Sequence, residues 1–353
     1  MRLLSPLLRQ VVYPSLRSAG CFRGRGSRLP AVITYHGVMP KGFSRDDIPD
    51  GPLLAGERLR AQFRVLKKNY DPIHPEEFLR WVKYGEPLPG RAVLLTCDDG
   101  LLNHQREMLP ILQEERLRCI FFVTGHSLSE MPRMLWYVEL YLMLRETRTS
   151  RMRFVFDGKT WDEPLGNRSQ RRALWLRLVA ELSELDEPAR KAWMQQASTE
   201  LGLTSLAGSY LADPALRSRF ALMGKSELTT LRDAGMTIGA HTVSHPILAK
   251  QSLASAEQEI GEARQALTNF LDAPVWAMAY PFGYPGSASP REFELVKRAG
   301  YECAFLNYGG PVAPDSPRFA LPRIHITNEM ELAEFEAHLS GFHGRLSEAL
   351  RGA

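Results

Sequence analysis

Short apolar runs rich in β-branched and aromatic residues recur along the chain. They are separated by segments whose apolar positions repeat every three or four residues. "AVITYHGV" (31–38), "AVLLTC" (92–97), "CIFFVTG" (119–125), "VWAMAY" (275–280), "ECAFLNY" (302–308) and "RIHI" (323–326) read as strands. "MTIGAHTVSH" (236–245) opens with the same pattern. The intervening segments read as helices: 57–70, with Leu59, Phe63 and Leu66 on one face; 75–82; a short helix opened by Pro110; 291–300; and 329–339. In 254–271, Ser255 and Gln258 have capping-box spacing ahead of a stripe of Ile260, Ala263, Leu267 and Phe270. Near-continuous apolar strands alternating with amphipathic helices predict an α/β fold, a parallel sheet with helices outside it.

Two regions break the alternation. From about 131 to 223 the pattern is mainly helical, "WYVELYLMLRET", "SQRRALWLRLVAELSEL" and "EPARKAWMQQASTELG", with one β-like piece, "MRFVFDG". This reads as an insertion, either a lid or partner surface or a layer that packs on the sheet. Residues 1–30 form a basic amphipathic segment in which Pro6, Arg9 and Pro14 interrupt any signal-peptide core.

Charge sharpens that division. Eight of the 44 lysines and arginines, and none of the 40 acidic residues, lie in 1–45. Such a start suits either an anionic membrane surface or a loosely ordered tail. It carries few aromatics and no nucleic-acid-binding module follows, so nucleic acid is not an expected partner. No apolar run reaches the ~18 residues needed to cross a bilayer. The setting expected on these grounds is cytoplasmic, peripheral on the inner membrane if the basic segment engages lipid. Cys97, Cys119 and Cys303 lie in apolar runs and, with Cys21, show no CxxC pairing, which favours packing and a reducing compartment.

The strand 92–97 ends in Asp98-Asp99-Gly100. Asp-Gly is a common turn, and aspartates cap helices. The functional alternative is that these carboxylates stand at the carboxyl end of a parallel sheet, where active sites of such folds gather. His241 and His245 also follow a strand, at a spacing that lets two imidazoles converge on one ion. With a carboxylate from another strand end they would form a two-histidine, one-carboxylate site.

At these residues the sequence resembles the polysaccharide deacetylases that share the NodB homology domain, carbohydrate esterase family 4. "TCDDG" is similar to the family's T-F-D-D-G, "HTVSH" to H-[ST]-x-x-H, and "YPFG" to its R-x-P-[FY]-G region; "RIHI" is a candidate for its late histidine motif. The matches fall in the family's order over residues 31 to about 345. The resemblance implies a distorted (β/α) barrel interrupted by the helical insertion. It implies that Asp99, His241 and His245 hold a divalent metal, that Asp98 is the general base, and that His325 protonates the departing amine. Zn²⁺ suits these ligands best, with Co²⁺, Ni²⁺ or Mn²⁺ able to replace it. Tyr280, Pro281, Phe282 and Gly283 would wall a sugar groove, with His36 facing the site.

The chain departs from the pattern at Ala279, where many members carry the arginine that contacts the catalytic aspartate. Arg323, from another strand end, is the expected substitute. Cys97 stands in place of the usual phenylalanine. The implied activity is hydrolysis of N-acetyl groups on an amino-sugar glycan or its lipid-linked precursor, in bacterial cell-surface polysaccharide metabolism. Two alternatives stay open: a non-catalytic carbohydrate-binding protein on a degenerate fold, and a hydrolase of another C–N bond. Phosphoryl transfer is disfavoured, since no glycine-rich phosphate cradle is present.

Overall fold

The structure, a computed structural model, describes residues 5–22, 29–43, 53–131, 133–203 and 211–349. One sheet is built from β1 (Ala31–Tyr35), β2 (Asp71–Pro72), β3 (Ala92–Cys97) and β4 (Ile120–Val123). A hairpin of β5 (Arg151–Phe156) and β6 (Lys159–Pro164) stands apart from it. The sheet resumes with β7 (Thr237–Ala240), β8 (Ala277–Ala279), β9 (Cys303–Phe305) and β10 (Ile324–His325). Its strand order is β10-β1-β3-β4-β7-β8-β9, with β2 beside β3, and every pairing is parallel.

Leu321, just upstream of β10, bridges Phe305 of β9, so the two edges of the sheet approach each other and it curls into a distorted barrel. All six residues of β3 and all five of β1 are buried, as strands covered on both faces must be. In the parallel register Thr34 lies beside Thr96 on one side and His325 on the other. The carboxyl ends of β1, β3 and β10 therefore deliver His36, Asp98 and His325 to one rim.

Several element boundaries differ from the sequence reading. Strands are shorter because the barrel rim turns them early. The helix expected at Pro110 begins upstream, with a π-helical turn over His104–Met108 leading into Leu109–Glu115. The wider turn accommodates a proline that has no N–H to give the ladder. The cap of the helix Leu253–Leu271 is Ser252, whose side chain accepts from the Ser255 N–H, and not Ser255. β2 and β6 were missed. β2 is only two residues, and β6 pairs with β5 through Asp157-Gly158, both at positive φ, as a tight hairpin turn requires.

The insertion has its own core. Trp136–Glu146, Arg168–Leu182 and Glu187–Glu200 enclose the hairpin, where Trp193 meets Trp161 edge-on and Phe154 at a tilt. In the N-terminal segment, Ser5–Ser18 is helical and docks on the C-terminal helices Leu332–Leu339 and Phe342–Ala349. Tyr13 and Phe22 are buried there against Ala333 and Ala337, and Arg9 and Arg17 pair with Glu334 and Glu336. Two of its arginines thus face protein carboxylates, which corrects the expectation of a loose tail for residues 5–22. The remainder of 1–30 lies largely outside the described residues. Among the described residues no helix is long and apolar enough to cross a membrane.

Candidate metal centre and active site

Asp98 and Asp99 follow β3 directly, and both are buried. The backbone turns sharply at Asp99, with φ +83°, which carries its side chain away from its neighbour's course. After β7, "HTVSH" folds back through Thr242 (φ +63°) and His245 (φ +61°). Thr242 Oγ1 accepts the His245 N–H at 3.1 Å and closes this turn. The two imidazoles therefore meet one carboxylate: Asp99 Oδ1 is 3.6 Å from His241 Nε2 and 3.2 Å from His245 Nε2. One ligand atom from each of the three lies within 4.8 Å of the others.

The donor chemistry fits a divalent cation. His241 Nδ1 lies 2.7 Å from the Ala279 carbonyl, which can only accept, so the proton sits on Nδ1 and the Nε2 lone pair faces Asp99. Burial pushes the Asp99 pKa up, but the close approach of the His241 and His245 imidazoles outweighs it and holds the carboxyl well below its usual range. Burial also lowers the pKa of His245, against the pull of Asp99. Both changes favour the forms that ligate a metal, an ionised carboxylate and a neutral imidazole.

Asp98 lies outside this cluster, in a different set of contacts. Arg323, fully buried, forks onto it, Nη1 to Oδ1 at 2.8 Å and Nη2 to Oδ2 at 2.5 Å. The guanidinium is itself held by the Leu306 carbonyl (2.7 Å) and Thr96 Oγ1 (3.0 Å), between the rings of Phe122 and Phe305. Burial raises the Asp98 pKa, and the opposing charge and hydrogen bonds of Arg323, with His241 nearby, bring it below the ordinary value. A carboxylate has about four acceptor sites, so the fork leaves two for a water or substrate proton. The guanidinium absent at Ala279 is thus supplied by Arg323. Arg323 does not reach the cavity, which corrects its expected place among substrate contacts.

A cavity of about 500 Å³ opens over both carboxylates, lined at its polar end by His36, His241, His245, Asn307 and His325. His36 and His325 meet edge to face at 4.9 Å. His325 Nε2 is buried with no protein partner, and burial, with His36 beside it, pulls its pKa down to about 3. It is neutral near pH 7. His36 owes its position to Gly37, at φ +115°, where a Cβ would sit 2.1 Å from Asn103 Oδ1.

Of Tyr280, Pro281, Phe282 and Gly283, only Phe282 lines the cavity. Tyr280 is 1 % exposed, packs on Phe293 and donates to the Phe319 carbonyl, so it belongs to the core. Pro281 is buried, and Gly283, at φ +62°, lies where a Cβ would press within 2.5 Å of Asn307. Cys97 is buried, its thiol pKa pushed up by burial, as a packing residue's would be.

The sequence reading missed what the insertion brings. Tyr137 packs on His245 and Phe282, and burial together with a hydroxyl contact to Asp99 raises its pKa. Trp136 donates to the His245 carbonyl at 3.1 Å. Arg190, buried against the Trp136 ring, donates to Ser244 Oγ at 3.0 Å. Ser244 Oγ donates in turn to Glu259 at 2.5 Å, and the other oxygen of Glu259 accepts the N–H groups of Val243 and Ser244. The histidine loop is therefore held from two sides, by the insertion and by the helix after β7. The only sequence signal was the aromatic pair in "LWYVELY", which also reads as ordinary core.

Fold and site together define a curled βα sheet with a two-imidazole, one-carboxylate donor set and a separately held carboxylate at its carboxyl rim. A model of the polysaccharide deacetylase family matches residues 199–304, which include both histidines. Over that region the chain is similar to the polysaccharide deacetylase family, and its Asp98-Asp99 and His241/His245 motifs agree with that similarity. It is similar to the poly-beta-1,6-N-acetyl-D-glucosamine N-deacetylase of Escherichia coli K12, 24% identical over 308 residues that make up 86% of this chain and 37% of that protein. The chain thus spans little more than a third of that relative's length.

Its fold is that of a Streptococcus pyogenes deacetylase solved with acetate (TM-score 0.56, 15% identity, 88% of this chain and 98% of the other). IcaB of Ammonifex degensii is similar in fold (TM-score 0.54, 16% identity, 90% of this chain and 98% of the other).

Proposed function

We propose that the chain is a metal-dependent N-deacetylase that hydrolyses the N-acetyl group of an amino sugar in a glycan or its lipid-linked precursor. The observation that carries this is the division of two adjacent aspartates. Asp99 joins His241 and His245, while Asp98 is held apart by Arg323 in the same cavity.

Asp99, His241 and His245 would hold the cation, for which Zn²⁺ is the first choice and Co²⁺, Ni²⁺ or Mn²⁺ are alternatives. Bound there, it would polarise the amide carbonyl and lower the pKa of water towards about 7. Asp98, ionised and with acceptor sites free, takes the proton of the attacking water as its oxygen bonds to the carbonyl carbon. The C–N bond then breaks, and that proton is delivered to the sugar nitrogen, giving acetate and the free amine. His325, neutral with an unpartnered Nε2, is placed to pass it on. Phe282 and Tyr137 offer ring faces to a pyranose.

The poly-N-acetylglucosamine substrate in the name of the Escherichia coli relative supports an N-acetylated amino sugar. The N-terminal basic residues support a cytoplasmic or inner-membrane-surface location, which fractionation would test. The decisive assay is acetate release from N-acetylglucosamine oligomers and lipid-linked N-acetylamino sugars by zinc-loaded protein. Release that requires both zinc and Asp98, judged by Asp98→Asn, supports the proposal; zinc binding with no release from any of these substrates would overturn it.

A further inference from the structure

The cavity is chemically two-sided. Its floor is the polar rim already described. Its apolar wall is Leu53, Leu101, Leu135, Val138, Trp175 and Val179, mostly from the insertion, and Thr327 and Glu329 add to the polar part of the lining. Trp175 and Val179 are one turn apart on Arg168–Leu182, so they share a face. The one polar atom of that wall's side chains is already used: Trp175 Nε1 donates to the Tyr137 carbonyl at 2.7 Å. What faces the cavity is hydrocarbon and an indole ring.

A sugar chain continuing along this wall would bury hydroxyls against groups that can neither donate nor accept, at a cost for each unpaired hydroxyl. An apolar group in the same place gains the transfer free energy of its own buried surface. Resting on the deacetylase reading, we propose that the wall binds an apolar aglycone, so that the substrate is a single N-acetylated amino sugar joined to a hydrocarbon carrier. On this account the insertion is a substrate-recognition element: the sugar sits over Asp98 and Asp99, and the carrier leaves along Leu135, Val138 and Val179.

The test is an alkyl series. Methyl, butyl and hexyl glycosides of N-acetylglucosamine are titrated calorimetrically into the zinc-loaded protein, and acetate release is measured on each beside the chitotriose oligomer. Affinity is expected to rise roughly fourfold for every methylene that the wall buries. The trimer is expected to bind no better than the methyl glycoside. Val179→Asn, at a half-buried position, should flatten the rise of affinity with alkyl length. Because Val138→Thr changes a buried position by one hydroxyl, it serves as the second variant should Val179→Asn fold poorly. Affinity independent of alkyl length, or a trimer preferred over hexyl, overturns the inference whatever the turnover. Binding that grows with chain length but releases no acetate leaves the wall's role standing and instead defeats the deacetylase reading.

Discussion

Replacing Arg323 by methionine should expose how Asp98 is kept ionised inside the protein. The pair is nearly solvent-free, with side-chain exposures of 0% and 2%, and the guanidinium supplies both of the close contacts to the carboxylate. Methionine removes the charge but fills much of the volume. What remains is a buried carboxylate without its partner, and breaking such a pair typically costs about 3–5 kcal/mol.

The sign with pH follows from the two effects on Asp98. In the native protein its pKa lies below the ordinary value, despite burial, because of Arg323. The pairing therefore stabilises the fold above the unfolded-state value of about 3.9 and is lost as pH falls through the lower folded value. In Arg323→Met the burial effect is no longer offset by the guanidinium, and the folded pKa rises. The variant is then penalised in full above the raised pKa and relieved as pH falls through it.

Urea unfolding of the chelator-treated proteins from pH 4 to 8 should show a difference of several kcal/mol at pH 8 that shrinks towards pH 4. The acid limb of acetate release should move to higher pH. A stability difference below about 1 kcal/mol, or one unchanged from pH 4 to 8, would refute the reasoning.

Four further outcomes are expected. Arg190→Met, which loosens the histidine loop without touching a ligand, should weaken zinc binding by about 10–100-fold in a competition titration while the folded circular-dichroism spectrum is kept; unchanged affinity would show that Glu259 and Trp136 hold the loop without Arg190. Chelation should lower the melting temperature, and zinc at a thousand times its Kd should restore about 4 kcal/mol, measured by scanning calorimetry with and without metal. Gly283→Ala, forced to positive φ against Asn307, should cost about 1–3 kcal/mol in urea unfolding. Tyr137→Phe should leave the fold intact but change zinc affinity or kcat, because only its hydroxyl meets Asp99; identical values for both would confine Tyr137 to packing.

The barrel strands were legible because parallel strands buried on both faces must be written as continuous apolar runs, and β1 and β3 are. The donor set was legible because its three members follow strands whose carboxyl ends share one rim. The Arg323 replacement could be anticipated only because Ala279 left a functional gap; nothing in "RIHI" itself announces a guanidinium that reaches Asp98 across 225 positions.

Tyr280 was misplaced for a related reason. Residues two apart on a strand share a face, which groups Tyr280 with Phe282; the left-handed turn at Phe282, φ +62°, breaks that alternation, so its ring enters the cavity while Tyr280 stays in the core. The insertion's contribution was not legible at all. Tyr137, Trp175 and Arg190 are ordinary helix residues locally, and their role arises from where a separate core docks on the rim. Ser252 capped the helix in place of Ser255 because caps depend on backbone angles that spacing alone does not fix.

The central claim is that Asp99, His241 and His245 share one divalent cation while Asp98 stays free of it. It is tested most directly by an anomalous-difference map from a zinc-soaked crystal. The account predicts a single strong peak about 2.0–2.2 Å from an Asp99 oxygen and both Nε2 atoms, with Asp98 still forked to Arg323. A zinc peak coordinated by Asp98, or no peak between these three side chains at full loading, would contradict it.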